Sequence, residues 1–486
     1  VAFLAISQIL EMGDEEKGLM DKVTGAFSSE NMDKVKEHIE KPPIDKLVAE
    51  FVGTFLLVLT VACNSMGGLA SFSALSIASI LMLGVYMFGP VSGAHFNPAV
   101  TCSVILAGKL DWALGAVYIV VQCIAGILAA LCGALLYGGA LPFGPLEGGA
   151  FAWWQCLAVE LLYTFMLCLV VLCTACVKEP NQYFGLAIGF VIMAGGNAAG
   201  WVSGAAFNPA VALGLDCGSF TTGWGWCLPY VVVQCIAAVG ATFTFGYLRP
   251  GEVEGQEGGE VDTPRKLVAE ALGTFFLILT IGLNVLEGPM NAAAGLSIAA
   301  SLMVMIYALA PVSGAHFNPA VTLAIFVRGK IELADAGLYA AAQVGGGLVA
   351  GVMYCLVTGG AQFGLGPYGP FNWFHACVAE FAFTFVLCLT VLAVATVSNN
   401  AHTKDMFGLA IGFAIVVGGY AVGAISGGAL NPAVAIAIEG THVLGGGFFF
   451  PCLIYTVCEL LGGAAAAGVF MLTHPSEMDG KELKFS

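Results

Sequence analysis

Ser92-Gly93-Ala94-His95-Phe96-Asn97-Pro98-Ala99-Val100-Thr101 returns almost unchanged as Ser313-Gly314-Ala315-His316-Phe317-Asn318-Pro319-Ala320-Val321-Thr322. Two looser copies accompany them: Ser203-Gly204-Ala205-Ala206-Phe207-Asn208-Pro209-Ala210-Val211 and Ser426-Gly427-Gly428-Ala429-Leu430-Asn431-Pro432-Ala433-Val434. Taken locally, Asn-Pro-Ala is a helix start, with Asn as N-cap and Pro at the first helical position. The apolar segments after the four triplets, about 97–107, 208–215, 318–327 and 431–438, are too short to cross a bilayer, which takes about 20 residues. They read as half-helices that dip into a membrane. Such broken elements are tolerated at that depth only where they line a cavity or are buried in protein.

The chain around them is hydrophobic enough for that reading. It has 486 residues, 59% of them hydrophobic and only 10% charged, with a mean hydropathy of +0.90. Soluble domains carry about 25% charged residues. The 65 glycines suit helices that must approach closely in lipid. A net charge of −16 comes largely from acids in the N-terminal segment and one linker, where a solvated tail accounts for it. With no basic patch, nucleic acid is excluded as a partner. The 16 cysteines fall mostly singly in apolar runs, where cysteine packs as a small hydrophobe. Cys173-Thr174-Ala175-Cys176, the one CxxC, closes such a run. Nothing supplies a nucleophile, a working pair of carboxylates or a metal cluster, so no enzyme, metal site or cofactor is expected.

Residues 1–43 say least. Val1 in place of Met implies that residues precede it, and Val1–Leu10 is too short to span and has no basic flank, so it is not read as a signal peptide. Met32, Val35 and Ile39 share one face of a short surface helix that Pro42-Pro43 ends. From Ile44 onward the chain repeats. Glu-x-x-x-Thr-Phe opens at Glu50, Glu160, Glu270 and Glu380, evenly spaced, and Tyr-x-x-x-Gln/Glu opens at Tyr118, Tyr230, Tyr339 and Tyr455. The unit is three spans plus one Asn-Pro-Ala segment, four times over. Spans are expected near 44–66, 70–91, 111–137, 151–177, 183–202, 221–248, 265–287, 290–311, 332–357, 371–397, 406–424 and 444–472.

Twelve spans put every lysine and arginine on the side of the N-terminus, while the opposite loops 138–150 and 358–370 have none. The positive-inside rule then makes both termini cytoplasmic. Three spans per repeat invert each repeat relative to the one before. The expected organisation is an all-α integral membrane protein of two six-helix units, with four re-entrant half-helices. Residues 1–43 are an N-terminal segment, 44–248 and 265–472 the units, and 473–486 a cytoplasmic tail. Residues 249–264, acidic and Gly-rich, read as a flexible cytoplasmic linker.

These residues carry a resemblance. Paired Ser-Gly-Ala-His-Phe-Asn-Pro-Ala-Val-Thr and Asn-Pro-Ala segments, with Glu-x-x-x-Thr-Phe in the first and fourth span of each unit, resemble the aquaporin and glycerol-facilitator family over about 44–472, twice. The resemblance implies a passive pore in each unit. It marks the triplets Asn97-Pro98-Ala99, Asn208-Pro209-Ala210, Asn318-Pro319-Ala320 and Asn431-Pro432-Ala433 as pore elements. Two half-helices would meet tip to tip at mid-membrane, each tip carrying about half a positive charge, with asparagine amides offered to the lumen. Glu50, Glu160, Glu270 and Glu380 then become carboxylates that hold the pore loops in shape, a proton relay being the sharper alternative. His95 and His316 line the lumen as neutral hydrogen-bonding groups, or as pH gates. Family members are usually tetramers, so two of these fused chains would make a four-pore assembly.

One departure stands out. Water-selective relatives place an Arg after the second Asn-Pro-Ala; here Val211 and Val434 stand there. Counting back without gaps gives the remaining filter positions as Ile77, Gly196 and Ala205, and Ile298, Gly419 and Gly428. Both filters are apolar and built from small residues, hence wide enough for glycerol, urea, ammonia, hydrogen peroxide or carbon dioxide. A unit charge about 5 Å away at an effective dielectric of ~20 contributes roughly 3 kcal/mol, as two half-charges do together. Losing the Arg therefore removes about half of the fixed barrier to cations, which makes a proton- or cation-leaky channel the first alternative. A structural membrane subunit with incidental pores is the second. Asp216 and Glu439, eight residues beyond the second Asn of each unit, read as solvated acids at the outer mouth, or as a weak cation-collecting ring. The expected partners are the bilayer, water, small neutral solutes and a second copy of the chain.

Overall fold

The computed structural model describes residues 43–67, 70–139, 141, 143–144, 151–219, 225–253, 261–288, 291–398 and 405–478. The expected short helix through Met32, Val35 and Ile39, most of the N-terminal segment, the centre of the linker and the end of the C-terminal tail lie outside these residues. Every regular element among them is helical.

The first unit comprises α1 (Ile44–Gly67), α2 (Ala70–Ser92), the half-helix α3 (Pro98–Leu106), α4 (Trp112–Tyr137), α5 (Trp153–Thr174), α6 (Phe184–Ser203), the half-helix α7 (Pro209–Gly218) and α8 (Cys227–Leu248). The second repeats the order: α9 (Thr263–Glu287), α10 (Ala294–Ser313), half-helix α11 (Pro319–Val327), α12 (Leu333–Val357), α13 (Trp373–Ala395), α14 (Phe407–Ser426), half-helix α15 (Pro432–Leu444) and α16 (Phe450–Thr473). Twelve of these helices are long and apolar enough to cross a bilayer. With twelve alternating crossings, Lys46, Lys109, Lys178, Arg249, Arg265, Lys266, Arg328 and Lys330 all fall on the face where the chain enters α1.

Each half-helix begins at its Asn-Pro for the reason read from the sequence. Asn97, Asn208, Asn318 and Asn431 are N-caps in extended conformation, and their side chains accept the first free backbone N–H groups. Glycines let the spans close on the half-helices. A Cβ on Gly126 of α4 would collide with the Ala210 carbonyl oxygen, and one on Gly463 of α16 would come 2.6 Å from that of Ala320. Close backbone approach of this kind is how helices gain packing where the surrounding lipid is as apolar as they are.

The two units join through α5 and α6 of the first and α9 and α10 of the second. The Tyr163 hydroxyl meets Thr280 Oγ1 at 2.9 Å, Ser297 Oγ donates to the Ala194 carbonyl at 2.8 Å, and Tyr183 stacks on Tyr307 with ring centroids 5.9 Å apart. Asn181 Nδ2 donates to Asp405 Oδ1 at 3.3 Å near the edge of the same seam.

Several expectations need correction. The linker is not coil from its first residue: Pro250–Glu252 is a 3-10 turn, clamped because Glu252 pairs with Arg249 at 3.4 Å and accepts the Lys178 backbone N–H at 2.9 Å. Its last residues, Thr263 and Pro264, belong to α9, whose N-cap is Asp262. Past Thr473 the tail makes a 3-10 turn at Pro475–Met478, where Glu477 pairs with Arg328 at 3.2 Å. Helix α15 runs six residues past its expected end at 438, because the acid that looked like a solvated stop, Glu439, is completely buried.

Candidate functional site

The four motif loops share one construction. Left-handed backbone recurs at Ala94 and Phe96, Ala205 and Phe207, Ala315 and Phe317, and at Leu430, each loop following a positive-φ glycine. That region costs non-glycine residues roughly 1–2 kcal/mol each, so something must hold them there. A buried carboxylate does. Glu50 Oε1 accepts the Ser92 hydroxyl at 2.6 Å and the His95 N–H at 3.0 Å, and its Oε2 accepts the Phe96 N–H at 2.8 Å and Gln122 Nε2 at 2.9 Å. Hydrogen bonds to a charged group are worth roughly 1.5–3 kcal/mol each, more than the strain of the residues they fix.

Glu160 repeats the pattern with Ser203, Ala206, Phe207 and Gln234, and Glu270 with Ser313, His316, Phe317 and Gln343. Glu380 accepts Ser426, Ala429 and Leu430, but Glu459 stands where the other three have glutamine. All four carboxylates are fully buried, off the cavities rather than on them. The tyrosine of the recurrent Tyr-x-x-x-Gln/Glu closes each loop from behind: Tyr118, Tyr230, Tyr339 and Tyr455 donate to the carbonyls of Ser92, Ser203, Ser313 and Ser426. In the sequence this signature serves only to count repeats; its even interleaving with the loops is the available sign of a shared role. The serines at the loop starts recur with the motif itself, but nothing in the sequence pairs them with the carboxylates.

The tips meet in pairs. Asn97 Nδ2 donates to the Phe207 carbonyl and Asn208 Nδ2 to that of Phe96, both at 2.9 Å. Asn318 Nδ2 reaches Leu430 at 2.8 Å and Asn431 Nδ2 reaches Phe317 at 2.9 Å. Each amide thus commits its oxygen to its own half-helix and one N–H to the opposite loop. One N–H per asparagine is left, since the amide nitrogen carries two.

Ile77, His95, Asn97, Gly196, Ala205, Asn208 and Val211 all border one cavity of about 1480 Å³ in the first unit. Ile298, His316, Asn318, Gly419, Gly428, Asn431 and Val434 border one of about 310 Å³ in the second. The prolines and alanines of the triplets border neither and pack behind the tips. His95 Nδ1 lies 3.2 Å from Thr101 Oγ1 and His316 Nδ1 3.1 Å from Thr322 Oγ1, which orients each ring. Among the described residues no arginine borders either cavity. Asn197, which the sequence did not single out, borders the first beside Gly196; in the second unit Tyr420 takes its place and donates outward to the Ala292 carbonyl.

Asp216 and Glu439 are neither solvated nor a ring. Both are fully buried. Asp216 Oδ2 accepts the N–H groups of Gly225 and Cys227 at 2.9 and 3.2 Å. Glu439 accepts the Leu365 N–H and lies 3.1 Å from His442 Nδ1. The reason is topological: each half-helix ends under a connecting loop whose backbone donors need acceptors once water is excluded.

A family model described as major intrinsic protein matches residues 37–227, 183–281 and 257–470. Aquaporin NIP1-3 of Oryza sativa subsp. japonica is 34% identical over 232 residues, 46% of this chain and 78% of that protein. Aquaporin NIP1-1 of Zea mays is 33% identical over 223 residues, 43% of this chain and 77% of that protein. The solved aquaglyceroporin from Plasmodium falciparum aligns with a TM-score of 0.41 and 21% identity, over 44% of this chain and 99% of that one. With the family model repeated along nearly the whole length and two sets of paired Asn-Pro-Ala loops in one chain, the protein belongs to the major intrinsic protein family, as a tandem of two aquaporin-like units.

Proposed function

We propose that each unit is a passive pore for water and small uncharged solutes, with an apolar filter wide enough for glycerol or urea. The observation that carries this reading is the composition of the cavity walls at the asparagine tips. A passing molecule meets free amide N–H groups and the histidine on one side. On the other it meets Ile77, Gly196, Ala205 and Val211 with Asn197 beside Gly196, or Ile298, Gly419, Gly428 and Val434. Helix N-termini facing each other oppose cations, and an apolar wall penalises any ion that must shed water. A neutral solute with a few hydroxyl or amino groups is stopped by neither. The uniform placement of basic residues on one face supports cytoplasmic termini, and the repeat boundaries support units over about 44–248 and 265–472.

The two pores are not equals in this reading. In the second, Leu365 and Tyr368 lie over Gly427, where a Cβ would meet them at 3.3 and 3.4 Å. Reconstituted liposomes test both points by shrink–swell rates. Val211→Arg should sharply slow glycerol and urea while sparing water, and Val434→Arg should do the same to a smaller degree. Glycerol flux unchanged in both variants, with water flux intact, would show that these valines are not filter positions. A proton-sensitive dye under an imposed potential decides the leaky-channel alternative, since neutral selectivity requires no current above bare lipid.

A further inference from the structure

The fourth loop departs from the other three at one atom pair. Gln122, Gln234 and Gln343 each donate an amide N–H to the loop carboxylate, at 2.9, 2.9 and 2.8 Å. At the corresponding place stands Glu459, beside Glu380: the two carboxyls hold successive backbone N–H groups, Leu430 on Glu380 Oε2 at 2.8 Å and Asn431 on Glu459 Oε1 at 2.9 Å. An ionised carboxylate has no proton to donate, and Glu380 already accepts the Ser426 hydroxyl and the N–H groups of Ala429 and Leu430. Glu459 Oε1 accepts the Asn431 N–H at 2.9 Å, while its buried Oε2 accepts from no other group. Two adjoining carboxyls, both fully buried, cannot both be ionised.

We propose that Glu459 binds a proton at membrane depth and donates it to Glu380, so that the second pore, and not the first, depends on a carboxyl–carboxylate hydrogen bond that raised pH takes apart. Among the described residues no cation faces the pair, His442 of α15 being turned to Glu439 at 3.1 Å. From α13 the facing groups are Glu380, Cys377 and Cys388; from α16 itself, Tyr455, Cys452 and Cys458; from α15, Glu439; and from the loop ahead of α13, Tyr368. Half-helix α11 carries no titratable residue, and Arg328 beyond it is engaged with Glu477 at the membrane edge. None of these is a cation at the pair. Removal of the proton leaves two adjoining charges that repel. Glu380 holds Ala429 and Leu430 while Glu459 holds Asn431, so separating them pulls directly on the tip of the second pore.

The flux arm of the test rests on the channel reading; the spectroscopic arm does not. Infrared difference spectra of the full-length protein in liposomes should show, at neutral pH, a carbonyl band of an un-ionised carboxyl that Glu459→Gln removes. That substitution restores the glutamine arrangement of the other three loops, so the variant should fold. Glycerol shrink–swell rates are then followed from about pH 5 to about pH 10, a range that takes in buried carboxyl pairs. Wild type should lose the second pore's share at the alkaline end as the band fades, and Glu459→Gln should keep it throughout, the first pore's share being common to both. A band that survives Glu459→Gln, or a wild-type pH profile that coincides with the variant's, overturns the proposal. Absence of glycerol flux in both proteins at every pH would instead defeat the channel reading while the band still decides the bound proton.

Discussion

At the scale of single residues, the loops depend on side chains seated where no Cβ can be. The Phe96 ring lies in a groove opened by Gly53, where an added Cβ would overlap Phe96 Cε1, and Phe317 lies on Gly273 in the same way. Gly53→Ala should therefore displace the ring and with it the loop that presents His95 and Asn97. Overpacking of this kind costs about 1–3 kcal/mol, and the loss should appear as a lower thermal midpoint together with reduced solute flux. Gly345→Ala is the control, since nothing lies within 4 Å of its added Cβ; a helical Gly→Ala change there should leave stability equal or slightly higher. Equal destabilisation by both would mean that helix propensity, not the ring contact, governs these positions. The motif residues themselves were legible because Asn-Pro-Ala has a local meaning. Ser92, Gln122 and Glu459 were not, because their meaning lies in partners dozens of residues away.

Among the elements, hydropathy and Asn-Pro starts marked the spans and the starts of α3, α7, α11 and α15 closely. Ends were harder. A helix end is read from polarity, and Asp216 and Glu439 looked polar because a sequence does not show which loop will fold over them. Each is in fact an acceptor for a loop that covers a half-helix. Asp216→Ala should leave the Gly225 and Cys227 N–H groups without partners, at a cost of roughly 1–3 kcal/mol each. The effect should be local: hydrogen exchange should quicken at the start of α8, with Asp216→Asn milder because one acceptor oxygen remains. Unchanged exchange in Asp216→Ala would mean that water or another group already satisfies those donors.

Over the whole molecule, the pairing of units within the chain also indicates what its outer faces await. Four inverted repeats were countable in the sequence; which helices join the units was not, because lipid-facing and unit-facing spans are equally apolar. In the structure Ala194 of α6 and Tyr307 of α10 are buried in the seam, whereas their counterparts Val417 of α14 and Tyr86 of α2 are 51% and 40% exposed. Thr60 and Ser76 stand on α1 and α2 where Thr280 and Ser297 stand on α9 and α10, and Asn64 Nδ2 donates to Ser76 Oγ at 3.1 Å as Asn284 does to Ser297 at 2.9 Å. The α1–α2 face thus repeats the face that α5 and α6 cover, and the α13–α14 face repeats the covering one. Such a head-to-tail contact closes into a ring when the rotation allows, and two chains joined at both ends would make four pores. Native mass measurement on detergent-extracted protein should find two copies. Val417→Trp should yield single chains, because the added bulk is harmless against lipid but not against α2 of a second copy, and solute flux per chain should persist since neither cavity is touched. Wild-type protein that runs as single chains under mild extraction, or a Val417→Trp variant that still pairs, would mean that lipid and not a second copy covers these faces.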